Sequence, residues 1–198
     1  FYTKINLLVK LLSDKERYNK VLVFVSNKRS ADRLFLVLEE HFGSEVAVIH
    51  SNKSQNYRFR SVDDFDSGKN RILVSTDVMA RGLDLEKITH VINFDTPKFP
   101  ENYMHRIGRT GRAKQKGHTI LFYTEAEQAY KESIENLMGR TIASTEFPNE
   151  VGVSEELTPE ERPKEVEINL GSKISKSECG AFHEKKAKNK KVNEGGSY

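Results

Sequence analysis

Val21-Leu22-Val23-Phe24-Val25 is the stretch that decides the fold. A strand with one wet face alternates apolar and polar residues. This run has no polar position, so it reads as a strand covered on both faces, the habit of parallel sheets layered between helices. Its flanks agree. Residues 3–14 place Ile5, Leu8, Val9 and Leu12 at helical spacing behind a capable N-cap at Thr3. Residues 28–42 return to the same period through Ala31, Leu34, Phe35 and Leu38.

The alternation continues outward. Val46–Ile49, Arg71–Ser75, Thr89–Phe94 and His118–Tyr123 read as further strands, and residues 55–66, 101–107 and 125–138 as helices. In residues 55–66, Phe59, Val62 and Phe65 are expected to face inward, and Gly68 to stop the helix. Strands alternating with helices predict an α/β domain, a mostly parallel sheet with helices on both faces. In such folds ligands gather at the carboxyl ends of the strands. The polar stretches fall there: Ser26-Asn27, His50 to Ser54, Thr76 to Asp84, and Asp95-Thr96-Pro97.

At 198 residues, 31% charged and 36% hydrophobic, the chain suits one domain of ordinary size with an appendage. No stretch approaches the roughly 20 apolar residues of a membrane span. The lone cysteine, Cys179, excludes an internal disulfide and fits a reducing, cytoplasmic setting. The start at Phe1 has neither an initiating Met nor a signal-peptide core, and reads as a piece of a longer protein. Near Pro148 regular hydrophobic runs give way to Glu, Lys, Ser and Gly. The compact domain is therefore expected over 1–148, with a charged, largely flexible extension over 149–198. Within the extension, Lys185 to Lys191 could tether nucleic acid through phosphates, and Val166 to Leu170 could add a strand.

The net charge is only +3, so an anionic ligand must be held by local clusters. The densest is His105-Arg106-Ile107-Gly108-Arg109-Thr110-Gly111-Arg112, with arginines at spacing three and glycines beside two of them. Planar guanidinium forks suit phosphate oxygens, and glycine lets backbone come close to a ligand; a solvated basic helix is the plainer alternative. After the third strand, Thr76 and Asp77 could cap a helix, whereas Arg81-Gly82-Leu83-Asp84 sets a cation, a flexible residue and an anion within one turn. A carboxylate there could bind a ribose hydroxyl. Gln55 and Arg58 share one face at a helix start, suited to a phosphate backbone or to a surface polar pair. The only Gly-Lys pair, Gly68-Lys69, lacks the other parts of a P-loop, and the six histidines have no metal-ligand spacing. Such a chain lacks the parts to hydrolyse a nucleotide alone.

Taken in order, these stretches resemble the C-terminal RecA-like domain of a DEAD-box ATP-dependent RNA helicase. Val21 to Asn27 is similar to motif IV, Gln55-x-x-Arg58 to motif IVa, Ser75 to Asp84 to motif V, and His105 to Arg112 to motif VI. Val91 to Pro97 resembles the segment linking the last two. Departures are Lys114 and Ser51, each where glycine is common. The resemblance implies a RecA-like fold and the second motor domain of an enzyme that unwinds or remodels RNA duplexes. By the same resemblance, Arg109 and Arg112 are catalytic arginine fingers, and Arg81, Gly82, Asp84, Arg109 and Arg112 bind ATP. His105 and Arg106 couple the domains, while Gln55, Arg58, Thr76 and Asp77 lie on the RNA side. The implied partners are RNA of unspecific sequence and an N-terminal RecA-like domain of the same protein, which would hold Mg2+; no membrane is implied. The fragment alone is expected to be inactive. A non-catalytic RNA-binding or interaction module on the same fold is the alternative, against which the intact Arg109, Arg112 and Asp84 speak.

Overall fold

A computed structural model of the chain describes residues 1–80, 85, 87–110 and 117–162. Its elements run α1 (Tyr2–Leu12), β1 (Val21–Val25), α2 (Lys28–Phe42), β2 (Val46–Ile49), α3 (Gln55–Asp66), β3 (Ile72–Thr76), α4 (Asp77–Ala80), β4 (His90–Asn93), α5 (Pro100–Ile107), β5 (His118–Leu121) and α6 (Gln128–Met138). A 3-10 turn, Glu125–Glu127, leads into α6, so the helix expected from residue 125 begins three residues later.

Among the described residues the strands form one sheet in the order β2-β3-β1-β4-β5, every pair parallel. β1 lies at its centre, and all five of its residues are buried. Its alternate side chains serve two cores. Val21, Val23 and Val25 pack with Ile5, Leu8 and Leu12 of α1 and Ala31, Leu34 and Leu38 of α2. Leu22 and Phe24 pack on the opposite face with Phe65 of α3 and with Leu85 and Ile88. The layered fold expected from the apolar run is the one observed.

Local signals set the helix ends. Asn27 caps α2 by accepting from the Ser30 amide at 3.0 Å, and Ser54 caps α3 by accepting from the Tyr57 amide at 3.3 Å. Gly68, at φ +84, turns the chain out of α3 in a backbone region that favours glycine.

Three expectations are corrected. Thr3 does not cap α1, whose N-cap is Phe1; the Thr3 hydroxyl instead donates to the Ser154 carbonyl (3.2 Å) and accepts from its amide (3.0 Å). Phe59 is 60% exposed, because the buried stripe of α3 runs through Ser61 and Phe65. Residues 149–161 belong to the compact unit, which runs Phe1–Glu161 and so passes the boundary expected at 148. This segment passes along α1: Glu150 accepts from Lys10, the Gly152 carbonyl from Asn6, and Glu160 from Arg33 of α2. Its own Val151 and Thr158 are buried. Residues 163–198, including the basic run and the alternating Val166 to Leu170, lie outside the described residues.

Candidate functional site

The polar residues that follow the strands meet at the carboxyl edge of the sheet. β3 passes directly into α4, so Asp77 stands at the strand end. α5 returns over that edge, and Pro100 starts it without losing a needed donor. Arg106, in its last turn, points inward and is 2% exposed.

A buried guanidinium requires partners for its charge and its donors. Arg106 has them. Its Nε and Nη2 donate to the two carboxylate oxygens of Asp77 at 2.6 and 2.9 Å, a bidentate fork. Its Nη1 donates to Asn93 Oδ1 at 3.0 Å and to the Asp95 carbonyl at 2.9 Å, at the end of β4. The Phe24 ring lies below, 5.0 Å from the guanidinium carbon. The Asp95 carboxylate accepts from the Ser26 amide at 2.7 Å, which ties in the end of β1. One arginine thus joins α4, α5, β1 and β4.

Arg109 follows in the turn after α5, its amide donating to the Arg106 carbonyl at 3.1 Å, and is half-buried. His105 is exposed on α5. Arg81, Gly82, Asp84 and Arg112 lie outside the described residues. The structure therefore brings Arg106 and Asp77 together, and each occupies the other's charge. Sequence reading gave the two different roles, coupling for Arg106 and RNA contact for Asp77, and did not pair them.

The second cluster is at the start of α3. Gln55 is exposed, and Arg58 is half-buried with Nη1 3.1 Å from the Met79 sulfur, so α3 abuts α4. Arg58 Nε is buried with no hydrogen-bond partner among the described residues. Thr76 is half-buried at the end of β3. Upstream, the turn after β2 is held by His50, which is 1% exposed. Its Nε2 is 2.9 Å from Asp32 Oδ1 on α2, and its Nδ1 is 3.3 Å from the Asn52 amide. Asp32 also pairs with Lys53 at 2.9 Å. Burial pushes the Asp32 carboxyl up, but hydrogen bonds from Lys53 and His50 outweigh it and hold the group below the ordinary carboxylate range.

Sequence reading placed His50 and Asp95 at the carboxyl edge but missed Asn93 and Asp32, and it found the partner of none of the four. Asn93 and Asp95 stood inside the quoted Val91 to Pro97 segment, yet nothing local marked them as partners of an arginine more than ten residues away.

Among the described residues no group of three or more His, Cys, Asp or Glu side chains could hold a metal ion. Nor is any described helix long and apolar enough to cross a membrane.

An all-parallel sheet with a basic cluster at its carboxyl edge defines an α/β domain with its site at the strand ends, and comparison with known proteins narrows it to a RecA-like domain. The helicase conserved C-terminal domain family matches residues 3–114. ATP-dependent RNA helicase DBP2 of Chaetomium globosum is 48% identical over 117 residues, which is 59% of this chain and 21% of its own length. The C-terminal domain of the DEAD-box protein Dbp5 superposes with a TM-score of 0.63 at 31% identity, covering 70% of this chain and 80% of that one. Domain 2 of the Mss116p DEAD-box helicase, solved bound to an RNA duplex, gives a TM-score of 0.66 at 28% identity over 74% of this chain and 60% of that one. The chain belongs to the helicase conserved C-terminal domain family, in its DEAD-box branch. It spans about a fifth of the length of the curated relative described.

Proposed function

We propose that this chain is the second motor domain of an ATP-dependent RNA helicase that unwinds or remodels RNA duplexes together with an N-terminal RecA-like domain of the same protein. The observation that carries the reading is the Asp77–Arg106 pair. It locks α4, which abuts the Arg58 end of α3, to α5, which carries His105 and Arg109. An RNA-facing edge and a nucleotide-facing edge would then move as one body.

The residues present fit anionic ligands. Arg58 Nε is a buried donor with no acceptor among the described residues, and a backbone phosphate would supply acceptors. Gln55, Thr76 and the Asp77 backbone would line the same RNA edge. Asp77 neutralises Arg106, which lowers the positive charge gathered beside Arg109. Arg109 and Arg112 would hold the β- and γ-phosphates of ATP as arginine fingers, with Arg81, Gly82 and Asp84 at the ribose side. ATP supplies the phosphoryl group whose developing charge the arginines stabilise. Mg2+ would be held by the N-terminal domain. Since Arg106 is turned inward, any coupling it provides runs through Asp77 and the β4 end, leaving exposed His105 to face the partner domain.

The test compares RNA-stimulated ATPase of this chain, of the longer protein, and of the longer protein with Arg109→Ala. Turnover is expected only in the longer protein, and the substitution is expected to lower kcat by about a thousandfold. Substantial turnover by this chain alone, or wild-type turnover by the variant, overturns the reading.

A further inference from the structure

We propose that Lys53 is a further phosphate-contacting residue and that Asp32, through His50, is the positioning residue that aims it. The inference rests on the RNA-binding reading above and adds two residues to it.

The turn between β2 and α3 is over-determined for a surface loop. His50 is buried and takes part in three bonds: Nε2–H donates to Asp32 Oδ1 (2.9 Å), Nδ1 accepts from the Asn52 amide (3.3 Å), and the carbonyl accepts from the Lys53 amide (3.0 Å). The Asn52 amide can donate only to an unprotonated Nδ1, so the proton of the neutral ring sits on Nε2 and points at Asp32. Lys28, in the first turn of α2, donates to Asn52 Oδ1 at 2.9 Å. The turn is therefore pinned to α2 at two points before Ser54 caps α3.

Lys53 is the residue this arrangement orders. Its ammonium lies 2.9 Å from Asp32 Oδ1 and 5.7 Å from the centre of the Tyr57 ring. A lysine loses rotamer freedom when fixed, and here that freedom is restricted before any ligand arrives. Lys53 sits two residues before Gln55 and five before Arg58, on the edge that also carries Lys28.

An ionised carboxylate on that edge works against an anionic ligand. Asp32 is nevertheless there, hydrogen-bonded to both His50 and Lys53, and a positioning role accounts for it. The geometry then separates two properties of Asp32: its oxygen, which fixes His50, and its charge, which opposes RNA.

The experiment measures binding of this chain to a fluorescently labelled single-stranded oligouridylate by anisotropy across a salt series, alongside thermal melts. Lys53→Gln is expected to flatten the slope of log K against log salt by about 0.7, the value for one phosphate contact on a single strand. Asp32→Ala is expected to weaken binding about tenfold and to flatten the slope in the same way. Asp32→Asn keeps the acceptor for His50 and drops the charge, so it should bind at least as tightly as wild type. An unchanged slope for Lys53→Gln overturns the proposal. So does an Asp32→Asn variant that binds as weakly as Asp32→Ala while melting at the wild-type temperature. If the unsubstituted chain binds with no salt dependence, the RNA reading falls and takes this inference with it; if it binds normally while the variants do not differ, only this inference falls.

Discussion

Arg106 and Asp77 form a two-pronged ion pair, at 2.6 and 2.9 Å, between residues 29 positions apart in the chain. The arginine is 2% exposed and the aspartate side chain 26% exposed. Removing one member of a pair that is largely out of water strands the other charge, a loss larger than the pair's own net contribution.

Arg106→Met is therefore expected to destabilise the domain by about 3 kcal/mol, read as a lower urea midpoint. Arg106→Lys should rescue little of it, since one ammonium cannot serve both Asp77 oxygens, Asn93 and the Asp95 carbonyl together. A midpoint shift under 1 kcal/mol for the methionine variant would mean that the fork holds nothing together.

His90 gives the domain a pH response of definite sign. It is 4% exposed, stacked against His118 at 5.0 Å and tilted against Tyr18 at 4.4 Å. Burial first, then the nearby His118 and Arg17 charges, push its pKa from 6.5 down to about 4. Above pH 6.5 the ring is neutral in both folded and unfolded chains, and its contribution is complete. Between 6.5 and 4 the unfolded chain takes up the proton that the folded one refuses, so stability falls as pH falls. The loss levels off below 4 and amounts to at most about 3 kcal/mol. His90→Phe should flatten the urea midpoint over that window. An unchanged pH dependence in the variant would assign the response to other groups.

The segment 149–161 is expected to stabilise the domain through Val151 and Thr158 more than through its ion pairs. Lys10–Glu150 has side chains 57% and 74% exposed, a class of contact with little measurable effect. Burying a valine contributes about 2 kcal/mol. Truncation after Pro148 should therefore lower Tm by roughly 4–8 °C, whereas Lys10→Ala should leave it nearly unchanged. If both behave alike in a thermal melt, the segment merely rests on α1.

Much of this architecture could be read from local periodicity. The doubly covered strand at 21–25, the helices at 28–42 and 55–66, and the polar ends of the strands all follow from the spacing of apolar residues. Phe59 shows where that reading stops. Its spacing suits an inward face, but a helix's buried stripe is set by where the sheet lies, and α3 turns Ser61 and Phe65 inward instead. Thr3 shows the same limit. A hydroxyl at a helix start is a cap unless something else claims it, and here the claimant is Ser154, 151 residues away.

The site divides along the same line. The sequence by itself determined which residue types gather at the carboxyl edge and which family of proteins carries them in that order, because strand and helix periods and motif spacings are properties of neighbours along the chain. Only the tertiary structure decided that Arg106 turns inward to Asp77 while His105 stays outside, and that Asp32 reaches His50 and Lys53 across from α2. Those pairings depend on how far apart two elements stand once the cores on either face of the sheet are packed. No periodicity encodes that distance.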